Sequence, residues 1–384
     1  MPNVLTDLAA DIYVAADIVA REQVGAVSSV VINGNASERV AVGGVVRSHF
    51  TRAATLIENA SPSMTIPEGT DQTIDNKTAT ISKTANVQIP WTGEEMRLID
   101  NGSGFETVYG DQIAQAMRTI TNKIEQNLLI EIYRNASRVV GTSGTTPFAL
   151  DFNAMAEQRQ ILADNGTPMA DGQIFTILSS VAGTKLRNLA QLQKANEAGS
   201  DRMLRQGVLL DLQGIALKET AFAPAHTKGT GTGYLVNAGA GLAVGATAIP
   251  VDTGTNTIVA GDVITFAADT ANQYVVATAL TGGVVTIAAP GLRVAIPDNN
   301  AITVTNNYTA NATFHRNAVE LIIRPPAMPK GGDAAVDMLT VQDPRSGLVF
   351  EIAAYKGYQK AMFDVRCVYG YEVWKPEFVT GVKG

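Results

Sequence analysis

Apolar residues return every third or fourth position between Ser103 and about Arg138. Ile113, Met117, Ile120, Ile124 and Leu128 form the stripe, widened by Ala116, Leu129 and Ile132. Asp111, Gln115, Arg118, Asn122, Lys123, Glu125 and Gln126 fill the other side. This spacing predicts one long amphipathic helix. Ser103 and Glu106 offer a capping box at its start, Arg134 and Arg138 suit the dipole at its end, and Gly141 is a stop. At about 1.5 Å per residue it would be roughly 50 Å long, well beyond an average globular helix. Such a length suits a spine with separate β-layers packed along it. A second helical pattern covers residues 3–24 through Leu5, Leu8, Ile12, Ala15, Ile18 and Val19, until Asn33 and Gly34 break it. That helix packs on its own core or docks as an arm on a second copy.

Between Val40 and Trp91 the period changes to two. Ala79, Ile81, Ala85, Val87, Ile89 and Trp91 alternate with polar residues, which predicts one long half-exposed strand. Val40, Val42, Val45, Met64 and Ile66 supply its expected return partner, and Pro67 to Lys77 its polar tip. A two-stranded arm of about 12 residues would reach roughly 40 Å. After the spine come a short helix from Asp151 to Asp164, a buried strand from Gln173 to Leu178, a helix opened by Ser180, and strand-like residues from Gly207 to Leu217.

The run Lys228-Gly229-Thr230-Gly231-Thr232-Gly233 reads as a flexible joint. From Tyr234 to about Asn311 the chain is rich in Gly, Ala, Thr and Val. Short strands at Thr247–Val251, Val263–Phe266, Tyr274–Thr278, Val284–Ile287 and Ala301–Val304 predict a self-contained β-domain inserted into a larger one. The main fold resumes at Phe314. Phe363, Val365, Cys367, Tyr369, Tyr371 and Val373 put a last strand on one face, ended by Pro376.

Composition narrows the function classes. Across 384 residues, 29 Lys and Arg face 36 Asp and Glu, a net charge of -7. That argues against a dedicated nucleic-acid binder, whose footprint is a basic face, but allows a shell that only encloses nucleic acid. One cysteine rules out an intramolecular disulfide, and with three scattered histidines it argues against zinc. No secretory signal or membrane-length apolar run is visible.

The candidate chemistry is poor, so no catalytic, cofactor or metal residue is assigned. Gly229, Gly231 and Gly233 lack the following helix that a phosphate loop needs. His49, His226 and His315 are in no metal-spaced pair, Cys367 falls on the apolar face of the last strand, and Glu94 and Glu95 point apart. No nucleophile elbow is present.

Several motifs carry a family resemblance. Glu68-Gly69-Thr70-Asp71 through Asp75-Asn76-Lys77-Thr78-Ala79 resembles the tip and return of an extended loop. Gln206-Gly207-Val208 through Leu217 looks like a strand entering an insertion, and Gly261-Asp262-Val263-Ile264-Thr265-Phe266 is similar to a strand of the inserted domain. Phe314-His315-Arg316-Asn317-Ala318 resembles the exit from that insertion, and Arg366 to Pro376 the closing strand. Together with the segment order they resemble the major capsid protein of tailed double-stranded DNA phages. The implied fold class is α+β, the HK97-like capsid fold, nearest the Salmonella short-tailed-phage coat protein type with its inserted small β-barrel or sandwich domain.

The resemblance implies an N-terminal arm at 1–39, an extended loop (E-loop) at 40–92 and a peripheral domain with the spine helix at 93–143. It implies an axial domain at 144–222 and 313–365, an inserted β-domain at 223–312 and a closing peripheral strand at 366–384. It further implies pentamers and hexamers of this chain around a portal protein, guided by a scaffolding protein, with a decoration protein as a further candidate partner. The shell would enclose double-stranded DNA and be assembled in the host bacterial cytoplasm before residing in the virion. Glu68, Asp71, Asp75, Lys77 and Lys83 are the expected inter-subunit contacts; no partner asparagine or catalytic glutamate can be placed for a lysine crosslink. The rivals are an encapsulin-like nanocompartment shell and a hydrolase or binding protein with a β-sandwich ligand domain.

Overall fold

The computed structural model describes residues 12–16, 19, 21–51, 62, 64–65, 74–100, 105–193 and 211–384. The chain is a mixed α+β protein built on the spine helix, Phe105–Arg134, whose 30 residues span about 45 Å. The expected stripe is its core face: Ile113, Met117, Ile120, Ile124 and Leu128 are all buried. Burial goes further than amphipathicity predicts, however. From Tyr109 to Tyr133 only Asp111, Gln115, Thr119 and Lys123 are exposed, one row at four-residue steps. Glu125, expected on the polar side, is fully buried, and its neighbours Thr121 and Asn127 are nearly so. The helix also stops at Arg134, and Arg138 belongs instead to a strand, Arg138–Val140, which runs parallel to Val379–Lys383. The β-branched pair Val139-Val140 and that partner take the chain out of the helix. The Ser103 cap lies outside the described residues.

A six-stranded sheet covers one side of the spine. Its hub is the closing strand Lys360–Val373. This pairs antiparallel with Lys83–Thr92 from Lys360 to Tyr369, with Val349–Gly357 from Lys360 to Arg366, and with Val319–Arg324 from Val368 to Val373. Val31–Gly34 and Asp337–Gln342 complete it. Phe363, Val365, Cys367, Tyr369 and Val373 pack with the spine in one cluster, as their spacing predicts.

The long strand expected from Ala79 to Trp91 is two strands. Ile74–Thr80 pairs with Val45–Thr51, the chain steps out at Ile81-Ser82, and Lys83–Thr92 joins the six-stranded sheet. The arm thus has seven paired residues per strand, a reach of about 24 Å. Met64 is exposed and in no strand, and Ile66 lies outside the described residues.

The second sheet joins twelve strands. Ile174–Ser179, Ala216–Thr220, Tyr308–His315, Val379–Lys383 and Arg138–Val140 make its body. Strands at Ala248–Asp252, Val263–Phe266, Asp269–Thr281, Val284–Ile287 and Ile302–Val304 make the inserted part, close to the expected positions. Tyr234, Ile249, Phe266, Tyr274, Val285 and Ile287 give it a core of its own. It is nonetheless joined to the body: Tyr274 pairs with Arg138, and Val263 and Val275 pack into the spine core.

Two late segments of the chain are distributed between the sheets. Residues 319–357 pair around the closing strand, where short antiparallel connections make Asp337–Val373 a meander. Residues 379–383 pair with Tyr308–His315 after the chain turns at Pro376–Phe378, and Val379 packs in the spine core.

Candidate assembly arm and the polar sites around it

The arm is a two-stranded ribbon, Val45 opposite Thr80 through Thr51 opposite Ile74. Among the described residues neither strand pairs with a third. Its base is seated on the body by Ala79 and Ile81, which pack with Ile322 and Val368. Gly370 permits that approach: a Cβ there would lie 2.5 Å from the Thr80 carbonyl oxygen and 3.0 Å from Ile81 Cα.

The expected contact residues fall into three groups. Glu68 and Asp71 lie outside the described residues. Asp75 is paired opposite Phe50 near the outer end of the ribbon. Lys77 and Lys83 both reach this chain's own closing segment. Lys77 Nζ donates to the Trp374 carbonyl oxygen at 3.0 Å and lies 5.7 Å from the centre of its ring; Lys83 Nζ lies 5.5 Å from that of Tyr371. Trp374 is fixed in turn by its Nε1–H on Glu320 at 2.6 Å, and Glu320 accepts from Asn33 at 2.8 Å. Lys77 thus ties the arm to the closing segment, while Lys83, the first residue of the sheet strand Lys83–Thr92, contacts Tyr371 within the sheet.

On the six-stranded sheet Arg366 gathers a polar knot. It donates to Glu351 at 2.9 Å, to Asp333 at 3.0 Å and to the Tyr355 hydroxyl at 2.7 Å, and Arg39 also pairs with Glu351. The Tyr355 hydroxyl and then Arg366 hold the Asp333 carboxyl below its usual range. Burial pushes Asp364, beside them, upward despite Arg366. These charges are spent on one another.

Of the residues weighed for chemistry, His226, His315 and Cys367 are held inside the fold. His226 Nε2 meets Asp262 at 2.9 Å and its Nδ1 meets the Tyr133 hydroxyl at 3.2 Å. His315 Nε2 meets Asp171 at 2.8 Å, and its Nδ1 accepts the Asn317 N–H at 3.2 Å, which closes the Phe314–Ala318 turn. His49 is in the arm strand, and nothing is described of its side chain. Cys367 is fully buried, its thiol pushed up to about 12 by loss of solvent. Among the described residues no group of three His, Cys, Asp or Glu could hold a metal. No described helix is long and apolar enough to cross a membrane.

Three features escaped sequence reasoning. The glycine run is no flexible joint: Gly229 N–H donates to Asp262 at 2.9 Å, Gly231 N–H to Thr257 at 2.8 Å, and both glycines are buried. Thr92 and Glu95 form a capping box for the helix Gly93–Asp100, with Thr92 N–H on Glu95 at 2.9 Å and Glu95 N–H on Thr92 Oγ1 at 3.3 Å. A T-x-x-E search would have found it. Lys383, buried in the C-terminal strand, has its ammonium pulled down to about 8 by burial, and no local pattern signals that.

No protein-family model matches the chain, and no curated protein does. Solved structures do resemble it at low identity. One titled as the capsid structure of the cyanophage P-SCSP1u is 11% identical over 95% of this chain and 89% of its own, with a TM-score of 0.48. One of Mycobacterium phage Che8 is 12% identical over 88% and 84%, with a TM-score of 0.46. A virus-like particle from Pyrococcus furiosus is 8% identical over 98% of each chain, with a TM-score of 0.40.

Proposed function

We propose that this chain is a major capsid protein of the HK97-like type: a shell subunit that performs no chemistry and assembles with copies of itself into pentamers and hexamers. The observation that carries the reading is the ribbon Val45–Thr51 and Ile74–Thr80, which, among the described residues, pairs with no third strand. A lone hairpin is marginal in water, so it needs a surface to lie on. In a shell the next subunit supplies it. The spine between two sheets and the inserted β-domain fit the order of segments in that family.

On this reading the shell encloses double-stranded DNA without sequence-specific contacts, as the net charge of -7 allows. Scaffolding and portal proteins are its assembly partners, with a decoration protein as a further candidate, and assembly precedes packaging in the host bacterial cytoplasm. Asp75 on the arm, together with Glu68 and Asp71 of the tip expected from the sequence, would meet the neighbour, while Lys77 ties the arm to the closing segment. Replacing the three acids by Ala tests this. The expected result is a loss of particles in sedimentation with the monomer's circular dichroism unchanged; wild-type particle yield would remove the tip from the contact. Particles filled with a cargo enzyme and no DNA would favour the encapsulin-like alternative.

A further inference from the structure

A cleft of about 350 Å³ opens between the end of the spine and the chain entering the inserted domain. Ile130, Pro224 and Val259 make its apolar wall, and Arg134, His226 and Thr227 its polar end. His226 is already engaged, through Nε2 by Asp262 and through Nδ1 by the Tyr133 hydroxyl. Asp262 itself is fully buried, and among the described residues no carboxylate lines the cleft. Arg134 differs. Its guanidinium faces the Tyr133 hydroxyl, its Nε is buried without a hydrogen-bond partner, and it forms no ion pair with a described residue. Lys228 adds a second positive charge nearby, its Nζ donating to the Asn306 side chain at 3.3 Å. A half-buried arginine beside apolar walls suits a carboxylate carried next to an aliphatic side chain.

The same chain offers that combination once. Of the exposed large apolar side chains among the described residues, Leu150 alone has an exposed acid as its neighbour in sequence. Leu150 is 88% exposed, two residues after Phe148, which is buried and anchors the loop. Asp151 follows, its carboxylate accepting the Asn153 N–H at 3.0 Å and the Asn153 amide at 2.7 Å at the start of the helix Asn153–Asp164. Both its oxygens keep a lone pair for a further donor. Other exposed apolar residues carry the wrong charge beside them: Tyr358 is flanked by Lys356 and Lys360, and Val294 follows Arg293.

We propose that Leu150 and Asp151 of one copy dock in this cleft of a second copy, the leucine against Ile130, Pro224 and Val259 and the carboxylate on Arg134. Repeated head to tail, such a contact builds a ring. The contact rests on the shell reading, in which copies of this chain surround common axes as pentamers and hexamers.

Photo-crosslinking of the full-length protein tests the contact. Leu150 is replaced by benzoylphenylalanine, and isotope-labelled and unlabelled copies are mixed, so that linked peptides with one labelled half mark contacts between copies. These should join position 150 to residues 130–134 or 224–227. Arg134→Glu should cut that product roughly ten-fold, and Asp151→Arg added to it should restore the yield, which loss of folding could not do. Crosslinks only at other positions, no crosslink between copies, or a yield indifferent to Arg134→Glu or not restored by the swap would overturn the contact. A second probe at Thr227 reads the cleft from its own side; capture there of a scaffolding protein in place of a second copy would overturn the occupant. Particles in which position 150 links elsewhere would refute the contact alone. This contact in a protein that never forms particles would refute the shell reading alone.

Discussion

Glu125 Oε1 accepts the backbone N–H of Gly25 at 2.8 Å, joining the middle of the spine to a segment 100 residues earlier. The same carboxylate also takes Ala26 and Val27, so one buried charge satisfies three donors that no strand or helix reaches. Glu125→Ala should cost about 3–5 kcal/mol, since it strands three buried N–H groups. Glu125→Gln should cost about 2–3 kcal/mol, because it turns an N–H toward a donor. Urea denaturation followed by circular dichroism reads both; an unchanged midpoint in the alanine variant contradicts the assignment.

Gly229 separates a packed seam from a flexible joint. A Cβ there would lie 2.4 Å from the Thr257 carbonyl oxygen and 2.7 Å from Asp262 Oδ2. Gly229→Ala should therefore destabilise the protein by about 1–3 kcal/mol through overpacking. Gly239, whose Cβ would meet nothing within 4 Å, is the control and should tolerate Ala. Equal thermal midpoints for the two variants would return the glycine run to a linker.

Cys367 should be unreactive toward thiol reagents at pH 8 in the folded protein and react fully in urea. Burial removes access and keeps the thiol protonated, with its pKa near 12. Rapid modification of the native protein would place the inner face of the closing strand in solvent.

The Glu22 carboxyl is held down to about 2, first by the Arg118 guanidinium and then by the Asn122 amide. A folded-state pKa below the unfolded one means stability that is present at neutral pH and lost as pH falls from about 4.5 toward about 2. For a pair this exposed the contribution is about 0.5–1 kcal/mol. The stability difference between wild type and Glu22→Gln should thus be constant above about pH 5 and shrink below it. A difference that widens on acidification contradicts the pairing. Asp343 shares the sign: burial raises it, but the Arg21 guanidinium and the Ser346 hydroxyl outweigh that and leave it lowered.

The spine stripe and the inward set Ala85, Val87, Ile89 and Trp91 were legible because burial imposes period 3.6 on a helix and period two on a strand. Glu125 was not, since a carboxylate that caps a distant backbone fits a solvated face as well as Lys123 does. The break at Ile81-Ser82 was hidden by parity: Ala79 and Ile81 share it with Ala85 to Trp91, so the alternation continues while the strand changes sheets. Gly229 illustrates another ambiguity, because glycine serves freedom and close approach alike. Val379–Lys383 was missed because five residues containing Gly381 carry too little pattern. Lys77 and Lys83 were expected as contacts to another subunit; within this chain they meet Trp374 and Tyr371, about 300 residues away, where no local signal connects them.

The most direct test of the shell reading is electron microscopy of the full-length protein, expressed alone and with a scaffolding partner. The account predicts closed polyhedral particles in which the ribbon of Val45–Thr51 and Ile74–Thr80 lies across the neighbouring subunit. A protein that stays monomeric in the presence of scaffold, or particles in which that ribbon touches only its own chain, would contradict it.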